Sequence, residues 1–178
     1  MSKSTESSPG NSQSHAFRLG NRPDILTILV LAAAGRLEEL AGRPAAGQTG
    51  VTLRWAIRVW HMLDPVCFPS PNLDDYAMVN AVEAVHYRGK TGRTEGTEQE
   101  IRAEGNLRRL RGVLAGYDCI VALGQSAMTA VEAAGSEALY SGNHPSLQAL
   151  NRMYVSSERT PVERRADRVA QWARTVMA

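Results

Sequence analysis

The sequence predicts an α/β protein: a three-layer α/β/α arrangement around a central four-stranded parallel sheet. Two observations carry this expectation. Short apolar runs of strand length recur at residues 25–31, 76–80, 118–123 and 138–141. Between them lie segments whose apolar residues repeat at helical spacing. Strands alternating with helices close into a parallel sheet covered on both faces, because each crossover returns over one face. A chain of 178 residues makes one ordinary domain and can bury a core. Residues 1–21 are rich in serine, glycine and polar groups and read as a disordered tail, leaving 22–178 as the single folded domain.

Composition excludes several classes. No stretch reads as a signal peptide or is long and apolar enough to span a bilayer, so a cytoplasmic protein with no membrane partner is expected. The two cysteines, Cys67 and Cys119, are far apart in the chain, and there is no C-x-x-C pair or Cys/His cluster. Neither a metal site nor a disulfide framework is indicated, and no cofactor is expected. Net charge is only +2. Basic residues cluster at Arg108, Arg109 and Arg111, and again at Arg164, Arg165 and Arg168. Such clusters permit nucleic-acid binding but are more often solvated helix faces.

Each element has a local reason. The first strand, 25–31, is apolar except for Thr27, as burial on both faces requires. Ala32, Ala33, Ala34 and Gly35 leave the backbone open at its carboxyl end, and a second small-residue turn covers 44–50. Open α/β sheets build ligand crevices in such places. The same residues suit a tight strand–helix connection, and the stretch alone does not separate the two. Residues 53, 56, 57, 60 and 63 form one helical stripe, within which His61 reads as structural. Residues 64–75 contain three prolines and form a loop. The second strand ends at Asn80. Residues 88–97 carry no apolar side chain and read as a mobile loop. Thr97 and Glu100 form a capping box for a helix that turns Ile101, Leu107, Leu110 and Leu114 inward and its arginines outward. The third strand turns at Gly124-Gln125-Ser126 into a helix closed by Gly135. Thr160, Pro161 and Glu163 repeat the capping pattern before a last helix with Val169, Trp172 and Val176 inward.

Five blocks in order, spanning Ile25 to Asn151, resemble the uracil-DNA glycosylase superfamily in the form of its family 4 and family 5 members. LAAAGRLEELAGRPAAGQTGVTL is similar to the first motif, a strand ending in a G-x-x-P-G or G-x-A-P-A turn followed by G-R-P-(F)-x-G-x-x-G and a helix. Gly35, Gly42, Arg43, Pro44, Gly47 and Gly50 fall at matching positions. YAMVNAV resembles the strand end y-x-x-N-x-v. GRTEGTEQEI resembles N-R-t-P-t-x-x-E-i with one residue inserted, and DCIVALGQSA resembles k-v-i-v-a-L-G-x-x-A. Asn143-His144-Pro145-Ser146, with Gln148 and Asn151, resembles the second catalytic motif, H-P-S or H-x-S-x-Q-N. The resemblance covers about two-thirds of the chain. It implies a DNA glycosylase whose partner is DNA carrying a modified or damaged base, acting as a monomer.

The resemblance also implies roles. A glycosidic bond breaks toward an oxocarbenium-like sugar and a base anion, so donors aimed at the departing base help most. His144 is the implied donor to a pyrimidine O2, and Asn80 the amide that reads the base's pairing edge. Without the resemblance, His144 is a loop histidine beside a proline and Asn80 a turn asparagine. Ala32, Ala33, Gly35 and Ala45 would line the base pocket. The amides of Gly124, Gln125 and Ser126, and those of Gly47, Gln48 and Thr49, would hold DNA phosphates. Ser146, Gln148 and Asn151 would lie on the loop that enters the duplex and holds the flipped nucleotide out.

The sequence departs from the family at three points. The family 4 carboxylate that handles the attacking water is replaced by Ala32, with Glu38 and Glu39 as substitutes or, more simply, as a solvated face. The aromatic that stacks on the base is replaced by Ala45. The family 4 iron–sulfur cysteines are missing, their positions falling at Ala84 and near Glu104, so no metal cluster is expected. The two alanines suggest a roomier pocket and a bulky modified pyrimidine, such as glucosylated hydroxymethylcytosine of phage DNA, in antiviral defence. Repair of uracil or deaminated bases is the alternative, as is a DNA-binding member without chemistry.

Overall fold

The strands Thr27–Leu31 (β2) and Cys119–Leu123 (β4) bury every residue, which requires a covering layer on both faces of the sheet. Alternation along β2 sends Ile28 and Val30 into one apolar cluster and Leu29 and Leu31 into another. The structure, a computed structural model, describes residues 14–178. Its sheet has five strands, with Phe17–Arg18 (β1), Ala77–Asn80 (β3) and Tyr140–Gly142 (β5) beside the two central ones, in the order β1-β3-β2-β4-β5. The four later strands run parallel, and β1 pairs antiparallel with β3.

Eight helices occur among the described residues. They are α1 (Arg36–Ala41), α2 (Gln48–Leu63), α3 (Arg88–Thr91), α4 (Glu98–Arg102), α5 (Glu104–Leu114), α6 (Gln125–Ala133), α7 (Leu147–Met153) and α8 (Pro161–Val176). One cluster packs Leu53, Ile57, Trp60 and Trp172 of α2 and α8 on the sheet, and the other packs Leu110, Leu114, Ala127 and Val131 of α5 and α6. Trp60 and Trp172 stack tilted with centroids 5.7 Å apart, and the Trp60 Nε1–H donates to the Ala173 carbonyl at 2.9 Å. Burying two large rings with their polar edges satisfied ties α2 to α8. No helix among the described residues is long and apolar enough to cross a membrane.

Four expectations need correcting. The sheet has five strands rather than four, because β1 comes from the segment read as a tail; residues 1–13 of that segment lie outside the described residues. Two residues of strand leave no periodicity to read, and the segment is fixed instead by a distant partner. Arg18 is buried, donating to the Asp74 carboxylate at 2.8 Å and the Leu73 carbonyl at 3.0 Å. Second, α2 begins at Gln48, five residues before its apolar stripe, and Leu63 at its end is exposed. Third, residues 88–97 contain α3 and are tied down: Arg93 donates to Glu100 at 2.6 Å, and Lys90 pairs with Glu39. Fourth, Arg109 of α5 turns inward, as described below.

Arg18→Ala removes the cation that anchors β1 and leaves Asp74 with only the longer contact to Arg54 at 3.5 Å. Breaking a buried ion pair costs about 3–5 kcal/mol. Asp74 retains 36% of its side-chain exposure, which places this case near about 2–3 kcal/mol. Thermal denaturation should show a midpoint lower by about 5–10 °C; an unchanged midpoint would mean that β1 is not held by this pair.

Candidate functional site

The order of strands reverses between β2 and β4, and a cavity of about 190 Å³ opens nearby, lined by residues at or just beyond the carboxyl ends of β2, β3 and β5. The segments after β2 and β3 stay together past the strand ends. Ala81 N–H donates to the Leu31 carbonyl at 2.7 Å, and His86 N–H to that of Ala34 at 2.9 Å. Residues 31–35 and 80–87 therefore face the same space.

One wall is built by Glu38. Its Oε2 accepts from the Gly35 amide at 3.2 Å and its Oε1 from the Gly47 amide at 3.1 Å, so one carboxylate serves the starts of both α1 and α2. Negative charge at two helix N-termini is favourable, and the two N–H groups fix its orientation. Beside it Ala45 is buried in the left-handed region, with φ 53°. That turn closes only because residue 50 is glycine: a Cβ there would lie 1.9 Å from the Ala45 carbonyl oxygen. A strained non-glycine residue at a cavity wall is retained only where its surroundings enforce it.

Asn80 is almost fully buried at the end of β3. Its Nδ2 donates to the His15 carbonyl at 2.9 Å, and its own carbonyl accepts from Arg109 Nη2 at 2.8 Å. Arg109, expected outward, is instead braced by Asn106 at 2.8 Å, and burial lowers its pKa. The Asn80 side chain is thus oriented by the segment preceding β1 and its backbone by α5. Oδ1 and the second Nδ2 hydrogen have no partner among the described residues.

His144 follows β5. Trp172 Nε1–H donates to the Asn143 carbonyl at 3.1 Å, fixing the backbone next to the histidine. Gly124 packs against it closely: with φ 104°, a Cβ at 124 would come within 3.3 Å of the His144 Cβ. Burial pushes the imidazole pKa below its ordinary value, with Glu95 and Glu38 pulling partly the other way. His86, at 3% exposure, is a second histidine of the cavity. Its Nδ1 meets the Thr91 hydroxyl at 3.1 Å and its Nε2 lies 3.5 Å from Glu100, yet burial again lowers its pKa.

The cavity brings together His144, Asn80, Ala33, Gly35, Ala45 and Thr49 of the residues singled out in the sequence. The others do not line it. Ala32 is buried in the core rather than on the lining. The Gly47 amide is used by Glu38, and Gln48 opens α2 with its carbonyl accepting from Thr52 at 3.2 Å. The Gly124 amide donates to Gly142 at 2.7 Å, and Ser126 donates to the Glu95 carboxylate at 2.5 Å, which sets a negative charge where a phosphate was expected. Gln125 is exposed at the start of α6. Ser146 caps α7 by accepting from the Ala149 amide at 3.2 Å, Gln148 is exposed on α7, and Asn151 accepts from Arg168 at 2.9 Å. These three therefore belong to a helix and its cap rather than to an open loop.

Sequence reasoning missed three lining residues with polar side chains, His86, Tyr87 and Thr94, and offered Glu38 only as a substitute carboxylate beside the simpler reading of a solvated face. A carboxylate three residues after Gly35 is the spacing that lets a side chain reach back to a helix-start amide, and this signal could have found Glu38. Nothing local marks Thr94. Among the described residues no group of three or more His, Cys, Asp or Glu side chains could hold a metal ion. No family model matches the chain, and no curated protein matches it.

Neutral His144 and His86 couple folding to pH. Between their lowered folded values and the ordinary value of about 6.5, the unfolded chain binds protons that the folded chain does not. Their contribution is therefore present above that ordinary value and is lost as pH falls through the window below it. The thermal midpoint should drop between pH 7 and pH 5, and drop less in His144→Gln; identical pH slopes for the two proteins would contradict the lowered pKa.

Proposed function

We propose that this protein is a DNA glycosylase, organised like the uracil-DNA glycosylase superfamily, that flips out a bulky modified pyrimidine and hydrolyses its glycosidic bond. The observation that carries the proposal is the meeting of Asn80, His144 and the doubly anchored Glu38 around one cavity beyond the carboxyl ends of the sheet. A cavity of about 190 Å³ is smaller than the ~300 Å³ at which drug-sized sites begin, and suits a base more than a whole nucleotide.

In this mechanism the free amide positions of Asn80 read the pairing edge of the flipped base. Neutral His144 donates an N–H to the pyrimidine O2, where charge gathers as the bond to C1′ breaks and the electron pair leaves with the base. Glu38, rather than residue 32, holds the water. Each of its oxygens has a further lone pair to accept from that water and to take its proton as the oxygen bonds to C1′. Tyr87 supplies an aromatic side chain to a cavity whose residue 45 has none. At the mouth, the hydroxyls of Thr49, Thr94 and Tyr87 suit a hydroxymethyl or sugar substituent projecting toward solvent. Such a substrate fits defence against viral DNA better than housekeeping repair.

The test uses duplexes carrying glucosylated hydroxymethylcytosine, hydroxymethylcytosine or uracil, incubated with protein, treated with alkali and scored for strand cleavage. Cleavage is expected first on the glucosylated duplex. His144→Ala should slow it by about 10²–10³-fold, and Glu38→Gln by about 10²–10⁴-fold. Preferential cleavage at uracil would move the assignment to repair, and binding without base release on every duplex would end the enzymatic one.

A further inference from the structure

We propose that the groove between α2, α7 and α8 is a DNA-backbone site, seating phosphates of the strand that carries the target base a few nucleotides from the base cavity. The identity of that strand rests on the glycosylase reading; binding at the groove does not. The groove encloses about 490 Å³, more than twice the volume of the base cavity. One side is an array of cations on α8, Arg164, Arg165 and Arg168, whose spacing at i, i+1 and i+4 brings them along one flank of the helix. The other sides are apolar, from Trp55 of α2 and Leu147 of α7.

Among the described residues no acidic side chain lines this groove. The carboxylates nearest in sequence are occupied: Glu163 caps its own helix through Thr160, and Asp167 accepts from Gln171 at 3.0 Å. The hydrogen bonds that hold Arg164 and Arg168 go to neutral oxygens. Arg164 donates to the carbonyls of Glu158 and Arg159 at 3.0 and 2.7 Å, and Arg168 to the Tyr154 carbonyl and Asn151 at 3.1 and 2.9 Å. Arg165 lies over the Trp55 ring, 5.2 Å from its centroid; its Nε and Nη2 are buried there without an acceptor among the described residues, which leaves Nη1 as its accessible donor. Three guanidinium groups that form no salt bridge among the described residues, with Glu163 and Asp167 acting on Arg164 and Arg168 only from farther off, are complementary to a polyanion, and the planar N–H fork matches phosphate oxygens.

Two features favour a nucleic-acid strand over an acidic peptide. The apolar lining, from Leu147, Pro161, Val162 and the part of Trp55 that Arg165 leaves uncovered, suits deoxyribose better than a second layer of charge. The groove also adjoins the base cavity along two elements. Thr49 of the cavity and Trp55 of the groove are six residues apart on α2, about 9 Å, which is two to three nucleotide steps at about 3.4 Å each. His144 of the cavity and Leu147 of the groove are separated by only Pro145 and Ser146. One strand can therefore occupy both.

The test is fluorescence anisotropy with a labelled duplex of ordinary bases, titrated at several KCl concentrations, on full-length protein and on Arg164→Gln, Arg168→Gln and the double variant. Each lost phosphate contact should make the slope of log K against log salt shallower by about 0.9. The α5 variants Arg108→Gln and Arg111→Gln should leave the slope unchanged. Circular dichroism and thermal melting establish that the variants are folded, and Arg164→Lys should recover part of the slope by restoring charge alone. An unchanged slope in folded groove variants overturns the proposal, as does equal loss in the α5 variants, tighter binding of polyglutamate than of DNA, or no DNA binding at all. If the slope falls as expected while no base is released from any duplex, the groove stands and the glycosylase reading fails.

Discussion

Two helix starts converge on one carboxylate. Glu38 takes the amide before α1 and the amide before α2, so the chain leaving β2 must fold back on itself within a dozen residues. That return sets where Ala45 lies, why residue 50 has no side chain, and how the amino end of α2 approaches the end of β3. An ionised group so placed would be costly without partners, and two backbone donors at positive helix ends offset the loss of water. Glu38 thus joins a structural duty to a chemical opportunity, since a carboxylate held this firmly meets a ligand without reorganising.

The opposite wall depends on the carboxyl-terminal helix. Trp172 of α8 grips the Asn143 carbonyl, and Gly142 passes so close to Val176 that a Cβ would come within 2.5 Å of it. Helix α8 is in turn fixed to α2 by the Trp60–Trp172 pair. His144 is therefore positioned by packing remote from the cavity, while Asn80 is positioned by hydrogen bonds from His15 and Arg109. Glu38 and Glu95 act on His144 while Arg93 and Lys90 act on His86, so the cavity carries charge of both signs, and the adjoining groove is lined by Arg164, Arg165 and Arg168.

Much of this architecture was legible in the sequence. The four parallel strands lie within two residues of their expected starts, because continuous apolar runs bounded by glycine and alanine leave few alternatives. The capping boxes at Thr97 and Thr160 are local and were read directly. What escaped was set over long range. Strand β1 depends on a salt bridge between residues 56 positions apart, and Arg109 turns inward only because the Asn80 carbonyl awaits it. The early start of α2 depends on Glu38 nine residues away. In the site, the residues with chemical character were found at the strand ends, while two of the expected phosphate amides, those of Gly47 and Gly124, are already bonded within the protein.

The bond from Asn80 to the His15 carbonyl makes the segment just before β1 part of the cavity wall. A shortened version beginning just before β2 would keep the four parallel strands and every lining residue. It would also leave the Asn80 amide free to rotate, exchanging donor for acceptor at the edge of the proposed base pocket. Such a protein would be expected to lose discrimination between bases before it lost its fold, and motif-guided trimming of the gene would conceal the cause.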